Sequence, residues 1–76
     1  MPHVIVKMYA GRAETQKKAL AEEITRAVSK TLGTGDDAGS VSIEDVAPKD
    51  WAQNVYRPDI ADKPDQLYKK PGYNPL

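Results

Sequence analysis

The fold is decided by HVIVKMY at residues 3–9, ETQKKALAEEITRAVSKTL at residues 14–32 and SVSIEDV at residues 40–46. Large apolar and β-branched residues dominate the first segment, and apolar and polar residues alternate in the third, which is typical of strands. The middle segment carries an apolar stripe at helical spacing, and Gly33 follows where a left-handed cap ends a helix. The stripe consists of Leu20, Ile24, Ala27, Val28 and Leu32.

Strand, helix and strand in this order predict an α/β fold built on a single β-α-β unit. Such a crossover is right-handed, its two strands are parallel, and its helix covers one face of the sheet. The unbroken apolar run Val4–Val6 further predicts that both faces of the first strand are covered, as in a parallel or central strand.

An irregular arm is predicted after the second strand, within one domain that spans residues 1–76. Pro48–Trp51 favours a short helical turn, because proline is well placed at a first helical position. Prolines at positions 58 and 64 are expected to break regular structure. A short helix over residues 65–70 and a turn at residues 70–73 complete the arm. It either wraps a second subunit or packs on its own domain.

The composition limits the classes of protein to which the chain can belong. A chain of 76 residues buries only about 60% of the surface that its unfolded form exposes. With no cysteine and one histidine, disulfides and a zinc site are not available to it, so we expect self-association. Eleven basic and eleven acidic residues argue against nucleic-acid binding, and no apolar run reaches the ~20 residues of a membrane span. We expect a cytoplasmic protein that needs no metal or other cofactor.

Pro2 is the one candidate catalytic residue, since no nucleophile–histidine pair and no glycine-rich phosphate loop is present. Removal of Met1 would leave a secondary amine at the start of a strand. An ordinary α-amino group titrates near pH ~8. Desolvation or a nearby arginine lowers that pKa, and a neutral amine in a dry cleft is a good general base.

Several segments together resemble the 4-oxalocrotonate tautomerase family. They are Pro2, Gly11-Arg12, Gln16-Lys17, the apolar stripe and Ser40–Ile43. The ending Tyr68–Tyr73 is similar to that of a longer, bacterial, usually dimeric branch of the same superfamily. The resemblance covers most of the chain and implies a tautomerase-like fold whose sheet is completed by dimerisation.

The resemblance also implies roles for individual residues. Pro2 would be the general base in keto–enol tautomerisation of a small 2-oxo acid, and Arg12 would hold the carboxylate of that acid. Trp51 would stand near the aromatic wall of the family's site. The family's second substrate-binding arginine is replaced by Ser42, so a monocarboxylate such as a phenylpyruvate-like enol is favoured over a dicarboxylate. A 2-hydroxydienoate is the other substrate class considered, and Arg57 is a hypothetical substitute for the missing arginine.

The spacing of Pro2 and Arg12 predicts a site shared between subunits. Ten extended residues span about 33 Å, which is beyond the reach of an arginine side chain. Arg12 would then come from another copy of the chain. We expect a homodimer with a four-stranded layer and both helices on one face, and a hexamer, a trimer of such dimers, is the alternative.

Two other readings remain open at this stage. The same proline can act as an acid in dehalogenation or hydration of unsaturated acids, or assist decarboxylation of a 3-oxo acid. Alternatively, the chain is a non-catalytic oligomeric binding protein in which Met1 is retained and the nitrogen of Pro2 stays in a peptide bond.

Overall fold

The computed structural model describes all residues from Met1 to Leu76. It contains β1 (His3–Tyr9), α1 (Glu14–Leu32), β2 (Ser40–Val46) and α2 (Ala52–Ala61). The two strands pair in parallel, with His3 opposite Ser40 at one end and Tyr9 opposite Val46 at the other. The predicted β-α-β unit is therefore confirmed, with the predicted bounds. No helix is both long and apolar enough to cross a membrane.

Local capping explains where α1 begins and ends. The backbone N–H of Ala13, just before the helix, donates to Oε1 of Gln16 at 3.2 Å. At the other end, Gly33 has a φ of 71°, and its N–H donates to the carbonyl of Ser29 at 2.9 Å. This left-handed conformation is one that glycine adopts at little cost, and it stops the helix. The predicted cap is confirmed.

Charged pairs anchor the two faces of the sheet to the two helices. On one face, Lys17 of α1 lies 2.6 Å from Asp45 of β2. On the other face, the Nζ atom of Lys7 donates to Asp59 of α2 at 2.5 Å. This hydrogen bond is the main cause that raises the pKa of Lys7 above its ordinary value. Since adjacent strand residues point to opposite faces, α1 and α2 cover opposite sides of the sheet.

The helix α2 corrects the prediction that Arg57-Pro58 breaks regular structure. It is a π-helix that continues through Pro58, and the N–H of Asp62 donates to the carbonyl of Arg57, five residues earlier, at 3.0 Å. A proline ring in an α-helix collides with the carbonyl four residues before it. We attribute the continuation to the wider winding, which moves that carbonyl away. The other short elements are 3₁₀ turns at Asp36–Ala38, Pro48–Asp50 and Pro64–Gln66. The last of these is shorter than the helix predicted over residues 65–70.

A single chain has very little interior of its own. Only Val55 and Tyr56 are buried, with 5% and 8% of their surface exposed. The accessible surface is 5814 Å², whereas a compact monomer of 8.4 kDa exposes about 4,600 Å². The radius of gyration is 13.9 Å, against about 11 Å for a compact domain of this length. Ile5 is still 55% exposed, so the predicted cover on both faces of β1 is not achieved within one chain.

Candidate active site

Pro2 lies in a narrow cleft at the amino ends of the two strands. Its carbonyl accepts a hydrogen bond from the N–H of Ser40 at 3.1 Å, which fixes the start of β1 against the start of β2. A second link at 2.6 Å joins Nδ1 of His3 to Oγ of Ser40. The Pro2 ring is half-buried, and Val28 of α1 forms part of the cleft wall. The sequence therefore places a rigid ring where strand pairing begins.

The cleft around Pro2 contains polar groups but no cation. Ser29 donates to Oδ1 of Asp36 at 2.5 Å, and both side chains line the cleft. The hydroxyl of Thr34, also in the lining, is buried without a hydrogen-bond partner. No lysine or arginine of the same chain lines this cleft. The lining thus holds several hydroxyl groups and one carboxylate, and it holds no cation of the same chain.

Arg12 lies at the opposite end of β1. It is exposed, forms no ion pair in the chain, and lines a cavity of about 430 Å³ together with Tyr9 and Gln16. The neighbouring cation, Lys17, is already engaged by Asp45 at 2.6 Å and Glu14 at 3.2 Å. The hydrogen bond to Asp45, followed by that to Glu14, raises the pKa of Lys17. Arg12 is therefore the cation of this cavity that is free to bind a carboxylate.

Trp51 lines the cavity between β1 and α2, and it contacts Tyr9, which also lines the Arg12 cavity. The two rings are edge-to-face, with centroids 5.2 Å apart and planes at 82°. The indole Nε1 also donates to the hydroxyl of Tyr73 at 3.0 Å. An aromatic pair and an unpaired guanidinium thus lie at the carboxyl end of β1, with Arg12 in the cavity beside α1 and Trp51 in the cavity beside α2.

The other two predicted site residues lie apart from these groups. Ser42 is half-buried in β2, opposite Ile5 in the strand register. Arg57 is exposed on α2, forms no ion pair and lines none of the cavities. One chain therefore brings Arg12 and Trp51 to one end of the sheet and leaves Pro2 at the other, about 20 Å away along a seven-residue strand.

Three further residues near these sites were missed by sequence reasoning. Asp36, between α1 and β2, lines the Pro2 cleft, and nothing in the local sequence indicates this. Tyr9 was read only as a strand end, and Tyr73 only as part of a turn. No local signal points to the Trp51–Tyr73 contact, since the two residues are 22 positions apart and meet only through tertiary packing.

A parallel β-α-β unit of this kind is shared with solved tautomerase structures. TomN, a 4-oxalocrotonate tautomerase homologue of the tomaymycin biosynthetic pathway, superposes with a TM-score of 0.65 at 36% identity, over 66% of this chain and 77% of that one. YwhB, another homologue of 4-oxalocrotonate tautomerase, gives a TM-score of 0.59 at 41% identity, over 60% and 75% of the two chains. The fold is therefore that of the small tautomerases.

Sequence comparison places the chain in a family. A family model described as Tautomerase enzyme matches residues 2–58. The chain is 43% identical over 76 residues to a "Probable tautomerase" of Xylella fastidiosa, covering 100% of this chain and 93% of that protein. It is 39% identical over 75 residues to Tautomerase PptA of Pectobacterium carotovorum, covering 97% and 99%. The chain belongs to the Tautomerase family, which confirms the resemblance and identifies it as an enzyme of that type.

Proposed function

We propose that the chain catalyses keto–enol tautomerisation of a small 2-oxo acid, with the amine of Pro2 as general base. The observation that carries the proposal is the position of Pro2, half-buried in a cleft at the amino ends of both strands. Met1 is fully exposed, so its removal meets no packing obstacle. The freed nitrogen takes the hydroxyl proton of the enol and returns a proton to the neighbouring carbon, which forms the ketone.

Arg12 of a second copy is proposed to complete the Pro2 cleft. The carboxylate of Asp36 lines that cleft and by itself favours the protonated, inactive amine. A neighbouring guanidinium instead favours the neutral amine, and it also binds the substrate carboxylate. Since no cation of the same chain lines the cleft, the site is incomplete in a monomer.

The substrate proposed is a monocarboxylate with an aryl tail, such as a phenylpyruvate-like enol, and a 2-hydroxydienoate is the other class. One free guanidinium next to the Trp51–Tyr9 pair suits one carboxylate and one apolar group. Ser42 is uncharged and supplies no second anchor. A role for Arg57 as that anchor is a separate hypothesis, and Arg57→Ala with unchanged kinetics would remove it.

A homodimer is the assembly that the surface of the chain supports. The excess exposure over a compact monomer is about 1,200 Å², and a stable interface covers about 800 Å² or more on each partner. Between Ile5 and α2 an open cavity of about 590 Å³ remains, lined in part by Val55 and Leu67 and in part by charged residues such as Lys7. Covering this face with a second copy would complete the cover on β1 that one chain lacks. A hexamer made of three such dimers is the alternative.

The test is a ketonisation assay against pH on protein whose intact mass lacks Met1. We expect kcat/KM to rise with pH and to level off with an apparent pKa below about 8, because lowering the pKa leaves the amine neutral at working pH. The matched control is the same chain with Met1 retained. Its Pro2 nitrogen is an amide, so this form should be inactive. Equal rates for the two forms would refute the role of Pro2. A retained Met1 in protein from its natural host would favour the non-catalytic binding protein.

Hydration of an unsaturated acid is a second candidate, favoured specifically by Asp36. A carboxylate in the cleft with Pro2 favours a protonated amine, which acts as an acid, and provides a group to orient a water molecule. A panel of phenylenolpyruvate, 2-hydroxydienoates, 3-haloacrylates and 3-oxo acids separates the cases. Turnover of the haloacrylates above that of the enols would favour the hydratase or dehalogenase reading, and turnover of the 3-oxo acids would favour decarboxylation.

A further inference from the structure

Tyr73, whose surface is 49% exposed, is the residue of the C-terminal arm that hydrogen-bonds to Trp51 and Tyr56. Its hydroxyl accepts the hydrogen bond from Nε1 of Trp51 at 3.0 Å. Its backbone carbonyl accepts a hydrogen bond from the hydroxyl of Tyr56 at 3.4 Å, and the two tyrosine rings lie with centroids 5.6 Å apart. Tyr56 is one of the two buried residues of the chain, so Tyr73 contacts its most buried part.

Two residues consequently contact Trp51 on different sides of its indole. The edge-to-face contact with Tyr9 fixes one side of the indole, and the hydrogen bond to Tyr73 fixes its single polar atom. The Nε1 group is a donor only, and a half-buried indole needs one acceptor for it. Tyr73 supplies that acceptor, which restricts rotation of the indole about its side-chain bonds.

The rest of the arm does not share this role. Tyr68 is fully exposed, and the only regular element after α2 is the short turn at Pro64–Gln66. The arm also lies beyond residues 2–58, the part that matches the family model. The orientation of Trp51 therefore depends on a segment outside the part of the chain that defines the family.

We propose that Tyr73 is a positioning residue that holds the Trp51 indole as a fixed wall and thereby favours aryl over alkyl 2-oxo acids. This inference rests on the proposed function. Contacts between aromatic rings depend strongly on their mutual orientation, whereas contacts with a flexible alkyl chain do not. An indole held at one angle therefore favours binding of an aryl tail over an alkyl tail. An indole that is free to rotate loses that preference.

The decisive variant is Tyr73→Phe, which keeps the ring against Tyr56 and deletes only the acceptor. Tyr68→Phe is the matched control, since it makes the same chemical change on a fully exposed ring of the same arm. For the enol of phenylpyruvate we expect Tyr73→Phe to raise KM by about 2- to 10-fold, the range set by one hydrogen bond, with kcat nearly unchanged. For an enol with an alkyl tail, KM should stay constant. Tyr68→Phe should change neither.

A double-mutant cycle tests whether Tyr73 acts through Trp51. In a Trp51→Phe background, Tyr73→Phe should produce no further increase in KM, because the group that it positions is gone. A further increase of the same size would show that Tyr73 acts independently and would overturn the inference.

The fluorescence of Trp51, the only tryptophan of the chain, supplies a readout that does not need activity. Tyr73→Phe should shift its emission and increase its quenching by acrylamide, and Tyr68→Phe should do neither. If the wild type is active while Tyr73→Phe leaves both KM and emission unchanged, the inference is wrong and the proposed function stands. If the wild type turns over neither enol, the proposed function fails and the specificity role fails with it.

Discussion

At the scale of single residues, the reactivity that we propose depends on one nitrogen and its surroundings. Pro2 supplies a ring nitrogen that strand pairing with Ser40 holds in place. Its position after Met1 is visible in the sequence, but the cleft is not, because Thr34 and Asp36 reach it only through the fold. The resemblance therefore predicts Pro2 as the base, which stays a prediction, whereas no sequence signal predicts its polar neighbours.

Pro2→Ala tests the base directly. The variant still loses Met1 and keeps an amine, but the amine is no longer a secondary one in a rigid ring. We expect kcat/KM in the ketonisation assay to fall by about 100-fold or more, since a positioned general base contributes about 10²- to 10⁴-fold. Pro75→Ala, at the exposed tip of the arm, is the control and should have the kcat/KM of the wild type. Near-normal rates for Pro2→Ala would rule out the proline as the main base.

Gly33→Ala tests the cap of α1. The φ of 71° lies in the left-handed region, which costs a residue with a Cβ atom about 1–2 kcal/mol. We expect the free energy of unfolding to fall by about 1 kcal/mol at fixed protein concentration. Gly72→Ala is the matched control, because its φ is not positive and an added Cβ meets no atom there. An equal loss in both variants would mean that the cap conformation is not the cause.

The secondary-structure elements divide into those that local sequence determines and one that it does not. The strands and α1 follow from apolar periodicity and from Gly33, so their bounds were predictable. In α2, Pro58 argued for a break, and the helix persists because Val55 and Tyr56 are packed into the only buried part of the chain. Tertiary packing thus overrode a local signal that sequence reasoning had to follow.

The link between β1 and α2 gives a pH prediction. Hydrogen bonding to Asp59 raises the pKa of Lys7, so the pair stabilises the fold below the unfolded lysine pKa of about 10.4 and this contribution is lost as pH rises through the folded pKa. Chemical unfolding should therefore show Lys7→Met less stable than wild type by a constant amount from about pH 7 to 9. The difference should shrink above about pH 10.5. Lys69→Met, in the exposed arm, should match wild type throughout, and a difference that varies below about pH 9 would contradict the assignment.

At the scale of the whole molecule, the separation of Pro2 from Arg12 leads us to expect that activity is a property of the assembly. Mixing Pro2→Ala protein with Arg12→Ala protein, each nearly inactive, should restore about a quarter of wild-type activity after exchange of subunits. Half of the dimers are then mixed, and each mixed dimer has one intact site of two. Both variants alone serve as controls. No recovery after verified exchange would show that the two residues serve one site within a single chain.

The small number of buried side chains in one copy has a consequence for how the protein accumulates in a cell. In the homodimer that we propose, a chain in which only Val55 and Tyr56 are buried gains most of its stability from association. Folding and association then form one equilibrium, which depends on the concentration of the protein in the cell. We then expect a newly synthesised copy to be open to proteolysis until it associates, so that the enzyme accumulates only above a threshold of cellular abundance.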